Sequence, residues 1–286
     1  MSIFNTTPDS FSDGGVNLPS DSDALRATAA AHIAAGATII DVGGQSSRPG
    51  APDVTAEEEI ARVLPAIEAI RSLPDAEHIA ISVDTYRARV ADAAVQAGAH
   101  IVNDISGGYL DPDMLSTVAR LGCTYIMMHM RGTPATMNNT ENCTYPAGRL
   151  ATTVGEEMRA RVDAAIAAGV RRWRIITDPG FGFAKTQDQN LALMRDLLVY
   201  RNHNRMLKKL PMLVGTSRKG FIGNITGVKE AKDRAWGTAA TVAYSVRAGA
   251  DIVRVHDVAE MTQVVKMADA ITRGPRDGNK DQGTRE

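Results

Sequence analysis

One unit recurs along the sequence and constrains the fold more than any other feature: a glycine ends a helix-like stretch, a short apolar run follows, and a polar residue closes it. Copies stand at 34–44, 96–108, 121–132, 167–182 and 247–258. The glycine suits the left-handed backbone position that ends many helices, where a side chain is penalised. The apolar runs are nearly continuous and rich in β-branched residues, which is typical of parallel strands covered on both faces.

Further apolar runs at 2–5, 78–84 and 211–216 bring the number of predicted strands to eight. Helix-period stretches alternate with them at 22–35, 56–72, 87–97, 114–121, 154–168, 187–208, 232–248 and 258–273. Strict alternation indicates a parallel sheet, and eight units in about 250 residues favour a closed (β/α)8 TIM barrel over a doubly wound open sheet. We therefore predict one α/β barrel domain over 1–273 and a disordered tail over 274–286.

Composition excludes several classes of protein. With 32 basic and 33 acidic residues, the net charge of −1 gives no sign of a nucleic-acid or membrane surface. Cys123 and Cys143 lack metal or redox spacing, which predicts one buried thiol and one loop thiol in a reducing compartment. No apolar run approaches the ~20 residues that span a bilayer, and the sequence opens without a secretory leader, so we expect a cytoplasmic protein.

Each predicted strand ends on a polar side chain. The strand-end residues are Asn5, Asp41, Asp84, Asn103, Asp104, His129, Asp178, Ser217, Arg218, Lys219, Arg254 and His256. The carboxyl ends of barrel strands meet at one mouth, so these side chains are expected to share a pocket. A strand-end Asp or Asn often only caps a helix or turns the chain, and Asp41, before two glycines, is expected to be such a case. Agreement at all eight ends favours a functional site.

Two loops suit an anionic ligand. The stretch 43–50 combines glycines, hydroxyls and an arginine without dinucleotide or Walker spacing, and 216–220 follows the seventh strand, where barrels commonly bind phosphate. His129 and His256 could be metal ligands, but no zinc-like spacing accompanies them. Arg254 and His256 are therefore better interpreted as a pair facing an anion.

Other strand ends suit a flat heterocycle. Asp84 and Asp178 can accept hydrogen bonds from its N–H groups, while Asn103 offers both a donor and an acceptor. Phe11 and Phe183 can supply the apolar walls that such a ring needs, although each phenylalanine alone would more often belong to the core.

Seven segments together resemble dihydropteroate synthase, a pterin-binding enzyme family, and most of all its fungal type. They are NTTPDSFSDGG at 5–15, DVGGQSSRPG at 41–50, SVDTYR at 82–87, NDISGG at 103–108, DPGFGFAKT at 178–186, GTSRKGFIG at 215–223 and RVHDV at 254–258. The resemblance implies a (β/α)8 barrel enzyme of folate biosynthesis, of a class that sulfonamides target. It would condense 6-hydroxymethyl-7,8-dihydropterin pyrophosphate with 4-aminobenzoate to 7,8-dihydropteroate and pyrophosphate.

The resemblance also implies a role for each matching residue. Asp84, Asn103, Asp178 and Lys219 would hold the pterin ring, and Asn5 would help to bind Mg2+ beside the pyrophosphate, whose oxygens Arg254 and His256 would grip. Phe11, Ser47, Pro49, Phe183 and Lys219 would surround 4-aminobenzoate, while Asp13 and Arg48 would order two mobile loops. The catalytic set would be Asp13, Arg48, Lys219, Arg254 and His256. A homodimer is implied, as is membership of a longer folate-pathway polypeptide, which in fungi would allow a mitochondrial location.

The sequence departs from the family pattern in three places. Ser47 stands where threonine is usual, and Gly220 removes a side chain near the benzoate. The sequence also starts close to the first loop, which leaves open an incomplete first strand and a missing N-terminal plug of the barrel. Two alternatives remain open: a methyltransferase that takes its methyl group from a tetrahydrofolate, and a non-catalytic pterin-binding paralogue. The first needs no aminobenzoate site, so the 46–49 loop and the end of the seventh strand count against it.

Overall fold

The computed structural model describes residues 1–6, 21–46 and 53–274. Their parallel strands follow the predicted apolar runs: β1 Ser2–Asn5, β2 Ile39–Gly43, β3 Ala80–Asp84, β4 Ile101–Asp104, β5 Thr124–Met128, β6 Ile175–Asp178, β7 Leu213–Val214 and β8 Ile252–Val253. Strands β1 to β6 pair in sequence order, and β7 pairs with β8. The glycines before β2, β4, β5, β6 and β8 adopt φ values between +64° and +114°, as their helix-ending position requires.

Two bridges close the sheet into a barrel. Thr177 pairs with Met212 between β6 and β7, and Ser2 pairs with Val255 between β1 and the end of β8. The backbone N–H of Ile3 donates to the Val255 carbonyl at 3.0 Å. Strand β1 is also paired with β2 along its whole described length, from Ser2–Ile40 to Asn5–Gly43. The predicted (β/α)8 barrel is confirmed, and its first strand is bonded on both edges.

Ten α-helices lie in the described part of the chain. They are α1 Ser22–Ala34, α2 Ala56–Arg71, α3 Ala88–Gln96, α4 Met114–Leu121, α5 Leu150–Ala167, α6 Gln187–Arg195, α7 Leu197–Asn202, α8 Gly220–Thr226, α9 Ala235–Arg247 and α10 Val258–Arg273. The single helix predicted over 187–208 is wrong, because the chain turns at Asp196 and forms α6 and α7. Helix α8 was not predicted, since 7 residues are too few to show a helical period.

The alternation of strand residues separates an outer core from the barrel interior. Val42, Val83 and Val102 belong to the large cluster that packs beneath the helices. Their neighbours at the opposite phase, Ile39, Ala80 and Ile101, belong to a separate cluster with Ile126, Ile176, Leu213 and Ile252. This second cluster fills the barrel floor. Two to four residues further along most strands, the same inward phase carries polar side chains, so the interior becomes polar toward the carboxyl ends. Strand β5 is the exception, because Met128 and Met130 continue its inward phase and His129 lies at the opposite phase.

Cys123 is buried and Cys143 is half-buried, and both are free thiols, as expected. Within 1–6, 21–46 and 53–274, no helix is both long and apolar enough to cross a membrane.

Candidate active site

Asp41 and Arg254 form the centre of the polar mouth. Arg254 Nε donates to Asp41 Oδ2 at 2.7 Å, and Asn103 Nδ2 donates to the same oxygen at 2.9 Å. Asp41 is fully buried, and its other carboxylate oxygen has no hydrogen-bond partner among the described residues. The expectation that Asp41 only caps or turns the chain is therefore wrong. Its inward strand position turns the carboxylate toward Arg254 across the barrel.

Asp84 receives the other arm of the same guanidinium. Arg254 Nη2 donates to Asp84 Oδ2 at 2.7 Å, so one cation bridges carboxylates from β2 and β3. Burial raises the pKa of Asp84 to about 7, while Arg254 opposes that rise. The carboxylates of Asp41, Glu59 and Asp104 add to it. Asp84 can thus change charge near neutral pH.

Asp178 and Lys219 form the opposite side of the mouth. Asp178 Oδ1 accepts the Gly180 backbone N–H at 2.7 Å, and burial raises the pKa of Asp178. Lys219 Nζ donates to the Phe181 carbonyl and lies 4.4 Å from the centre of the Phe183 ring. Burial lowers the pKa of Lys219 to about 8, against the attraction of Asp178. The ammonium therefore lies between a carboxylate and an aromatic face.

Phe183 belongs to an apolar wall at the mouth. It packs against a buried cluster of Ile105, Met128, Met130, Met137 and Ala184, with Tyr86 and Leu110 nearby. Opposite charges and an apolar surface thus border the same opening, an arrangement that can fix a small ring by its polar edge and its face.

His256 and Arg218 contact other groups than the central cluster. His256 Nδ1 and Ser217 Oγ are 3.0 Å apart, and the His256 backbone N–H also donates to Ser217 Oγ at 3.1 Å. Arg218 pairs with Asp257 through Nε at 3.1 Å. Arg254 reaches toward β2 and β3 while His256 lies against the end of β7, so the two predicted anion ligands extend toward different strands.

His129 does not join the central cluster. It is fully buried and bonded to Glu157 on α5 and to Lys185 in the loop after β6. The prediction that this strand end contributes directly to the shared pocket is not supported by its contacts. Lys185 was not singled out from the sequence, although it lies inside the 178–186 segment.

Five predicted site residues lie outside the described residues: Phe11, Asp13, Ser47, Arg48 and Pro49. The base of the second loop is described on both sides. Gln45 Nε2 donates to Asp53 Oδ1 at 2.8 Å, and Arg87 Nη2 donates to the same oxygen at 2.7 Å. Arg87, at the end of the 82–87 motif, thus joins the β2–α2 connection to the start of α3. A Cβ on Gly220 would meet no described atom within 4 Å, so this departure from the family pattern leaves open space.

Asn5 and Asp84 lie at the carboxyl ends of β1 and β3, on the two sides of Gly43 in β2. A Cβ on Gly43, which lies between them in the sheet, would be 3.6 Å from Asn5 Oδ1 and 3.9 Å from Asp84 Oδ2. Among the residues that the structure describes, no group of three or more His, Cys, Asp or Glu could hold a metal ion. One amide oxygen beside the mouth fits an ion that is held mainly by water and substrate phosphate oxygens, as Mg2+ commonly is.

Gly180 allows the loop after β6 to cross close to β5. Its φ is +72°, and a Cβ there would lie 1.9 Å from the His129 carbonyl oxygen. We expect Gly180→Ala to destabilise the protein by about 3 kcal/mol or more, because the backbone must move away from β5. Thermal or urea unfolding measures the loss.

Gly148→Ala is the matched control for this prediction. Gly148 has a similar φ of +68°, but its Cβ would meet no described atom within 4 Å. Gly148→Ala should therefore lower the free energy of unfolding only by the backbone penalty of about 1 kcal/mol. Equal losses of unfolding free energy for the two variants would contradict the proposed close approach.

The fold and the polar mouth at its strand ends together define the class of the protein, an α/β-barrel enzyme. The chain belongs to the pterin-binding enzyme family, whose model matches residues 1–256. It is 48% identical over 277 residues to a dihydropteroate synthase from Synechocystis, covering 96% of this chain and 90% of the relative.

Similar proteins come from other organisms as well. A folic acid synthesis protein from Pneumocystis carinii is 47% identical over 272 residues, which cover 95% of this chain but 35% of that relative. The chain thus spans about a third of this longer protein. A dihydropteroate synthase from Clostridium difficile, solved in the presence of pteroic acid, superimposes with a TM-score of 0.82 at 36% identity, covering 96% of each chain. Fungal and cyanobacterial identities are nearly equal, so they do not single out a fungal type.

Proposed function

We propose that this chain is a dihydropteroate synthase, which condenses 6-hydroxymethyl-7,8-dihydropterin pyrophosphate with 4-aminobenzoate in folate biosynthesis. The observation that supports this most strongly is the cluster of Asp84, Asn103, Asp178, Lys219 and Arg254 at one barrel mouth. Family membership and the relatives named above support the same assignment.

The pterin ring would bind by its polar edge. Asp84 and Asp178 would accept hydrogen bonds from ring N–H groups, and Asn103 would donate or accept through its free amide atoms. Asn103 already donates one N–H to Asp41, which fixes the direction of its amide group. Asp41 would therefore act through Asn103 and Arg254, as a positioning residue.

The pyrophosphate would leave from the ring's methylene group. Arg254 and His256 would face its oxygens, and Asn5 would contribute one oxygen to Mg2+. The bound ion would help to neutralise the charge of the leaving group. The electron-rich ring can share the positive charge left on the methylene, so we propose that bond breaking runs ahead of attack by the amine. An arylamine is already neutral at pH 7, so it can attack without a strong general base, and the proton that its nitrogen loses after the C–N bond forms would pass to solvent.

4-Aminobenzoate would bind beside the leaving methylene, against Phe183 and Lys219. The ammonium lies 4.4 Å from the Phe183 ring centre, so a carboxylate or ring edge could approach both groups. Phe11, Ser47 and Pro49 would complete this part of the site, with Asp13 and Arg48 ordering the loops. These five roles are those implied by the family resemblance of the motifs at 5–15 and 41–50.

The pH dependence of the reaction tests the role of Asp84. Its raised pKa of about 7 means that it gains a proton as the pH falls, and a protonated carboxyl accepts ring N–H groups poorly. We therefore expect kcat/KM for the pterin substrate to fall roughly tenfold per pH unit below about 7. Asp84→Asn should have a lower kcat/KM for the pterin substrate, and this value should not fall in the same way below pH 7. Wild type and Asp84→Asn use the same substrate, so ionisation of the substrate itself affects both equally. Parallel profiles of kcat/KM against pH for the two enzymes would contradict the role of Asp84.

A turnover assay tests the function itself. Protein is incubated with pterin pyrophosphate, 4-aminobenzoate and Mg2+, and dihydropteroate is measured by mass spectrometry. Dihydropteroate that depends on all three additions supports the proposal. Pterin binding without any product would favour the non-catalytic paralogue, and methyl transfer from a methyltetrahydrofolate would favour the alternative enzyme.

We propose a homodimer that uses the outer surface of α7, α8 and α9. Large exposed apolar side chains gather on these helices: Leu198, Val199, Ile225, Trp236 and Tyr244. The Tyr244 hydroxyl donates to the Arg195 carbonyl at 3.4 Å, which links α9 to the end of α6. Exposed apolar groups of this kind are typical of interaction surfaces. Sedimentation analysis would give twice the 30.5 kDa chain mass for a dimer.

We propose one barrel domain over 1–273, a cytoplasmic location for the free enzyme, and a mitochondrial location if the chain belongs to a longer polypeptide. The disordered tail proposed for 274–286 lies, except for Gly274, outside the described residues.

A further inference from the structure

A chain of three polar residues, buried Lys185 and His129 and half-buried Glu157, lies beside the active site. Lys185 Nζ is 3.1 Å from His129 Nδ1, and His129 Nε2 is 2.8 Å from Glu157 Oε2. Lys185 and His129 are at least 95% buried. Glu157 is held from its other side by Arg131, whose Nε lies 3.1 Å from each carboxylate oxygen. None of these groups takes part in the steps derived above.

The hydrogen-bond partners define one arrangement of protons. Lys185 Nζ lies 3.0 Å from both the Gly180 and the Phe183 carbonyl oxygens, so with His129 Nδ1 it has three acceptors. An ammonium has three donors and matches all three, whereas a neutral amine would turn a lone pair toward one of them. His129 must then be neutral and carry its proton on Nε2, which it donates to the Glu157 carboxylate.

The acid–base properties of the neighbours agree with this arrangement. Burial lowers the pKa of His129 to about 3, and the Lys185 charge adds to the effect. Burial alone would raise the pKa of Glu157, but the hydrogen bonds from His129 and Arg131 bring it to about 2. Burial lowers the pKa of Lys185 to about 7, against the attraction of Asp178, so the three-donor ammonium predominates below about pH 7. Lys219 and Arg161 also act on Lys185, so charged groups from β6, α5 and the segment after β7 surround it.

The segment held by Lys185 is the one that carries Phe183. Ala184 has φ of +50°, a left-handed conformation that a residue with a side chain rarely adopts. The start of the segment has a second anchor besides Lys185, because Gly180 N–H donates to Asp178. Its end is fixed by Asn190, whose Nδ2 donates to the Lys185 and Thr186 carbonyls. Between these points, Lys185 is the buried cation that holds the Phe183 carbonyl.

We propose that Lys185 is a positioning residue for the aminobenzoate half of the site: it fixes the 180–186 segment and thereby the Phe183 ring beside Lys219. His129 accepts a hydrogen bond from the lysine, and Glu157 fixes the other side of the histidine ring, so both residues orient Lys185. This inference rests on the proposed function, because it assigns Phe183 to aminobenzoate. Asp178 keeps its own bond to Gly180 N–H, so the pterin side depends less on Lys185.

Lys185→Met tests the proposal, since methionine has similar length without charge or N–H groups. We expect KM for 4-aminobenzoate to rise at least tenfold, with KM for the pterin substrate and kcat changing less than threefold. Hydrogen exchange of the peptide covering 180–186 should be at least tenfold faster than in wild type. Equal increases of both KM values, or no change in either, would overturn the proposed role.

Two controls separate positioning from general damage. Tyr145→Phe removes a single hydrogen bond to the neighbouring Ala184 carbonyl, and its KM for 4-aminobenzoate should rise less than threefold. Lys266→Met replaces an exposed lysine on α10 and should leave all values unchanged. If Tyr145→Phe matched Lys185→Met, a specific role for the buried cation would be wrong. The exchange measurement does not require turnover, so it decides the structural role of Lys185 even if wild type made no dihydropteroate.

Discussion

Replacing Arg254 with methionine is expected to lower kcat/KM for the pterin substrate by about three orders of magnitude. One guanidinium bridges Asp41 and Asp84 at 2.7 Å each, and its loss leaves two carboxylates close together without a cation. The pKa of Asp84, already raised by burial, should rise further, so that Asp84 no longer accepts hydrogen bonds from the ring at neutral pH. Steady-state kinetics at pH 8 would measure the loss.

The stability of Arg254→Met should fall as well, by roughly 3–5 kcal/mol, because a buried ion pair has lost one partner. Arg254→Lys keeps the charge but cannot span both carboxylates in the same way, so its activity should be intermediate. Arg205→Met removes an exposed arginine and serves as the control. A folded Arg254→Met enzyme with kcat/KM within threefold of wild type would contradict the central role of this side chain.

Lys219→Ala is expected to lower kcat/KM by at least a hundredfold, the usual cost of removing one preorganised donor from an active site. The ammonium lies over the Phe183 ring and is attracted by Asp178, so its loss affects both halves of the site. Product formation from pterin pyrophosphate and 4-aminobenzoate measures the effect.

Lys219→Met separates the charge from the side-chain stem. If the ammonium matters, methionine should be nearly as slow as alanine; if packing against Phe183 matters, methionine should recover much of the activity. Lys208→Ala, at an exposed position, controls for loss of a lysine elsewhere. Dihydropteroate formed equally well by Lys219→Ala and wild type would remove the role assigned to Lys219.

The barrel could be predicted from the sequence because the same physical unit repeats. Each glycine before a strand marks a helix end, and each apolar run has the length of a parallel strand. The failures were local. Helix α8 is shorter than the window in which a helical period shows, and the turn at Asp196 lies inside a stretch that is helical in character on both sides.

The site could be predicted only in part, for a related reason. Strand ends identified Asp84, Asn103, Asp178, Lys219 and Arg254 as members of one mouth, because chain topology brings such ends together. Which residue each side chain bonds to depends on the residues that face it from other strands of the barrel. Asp41 was misassigned because its neighbouring glycines suggest a turn, whereas its bond to Arg254 joins residues 213 positions apart. Lys185 was missed since no sequence pattern signals burial of a lysine against two carbonyls.

The most direct measurement is a crystal structure of the protein with a bound dihydropterin pyrophosphate. We expect the pterin ring to lie inside the barrel mouth, with its N–H groups within about 3.2 Å of the Asp84 and Asp178 carboxylates and its diphosphate toward Arg254 and His256. A ring bound elsewhere, or a mouth in which Asp84 and Asp178 face away from it, would contradict the proposed chemistry.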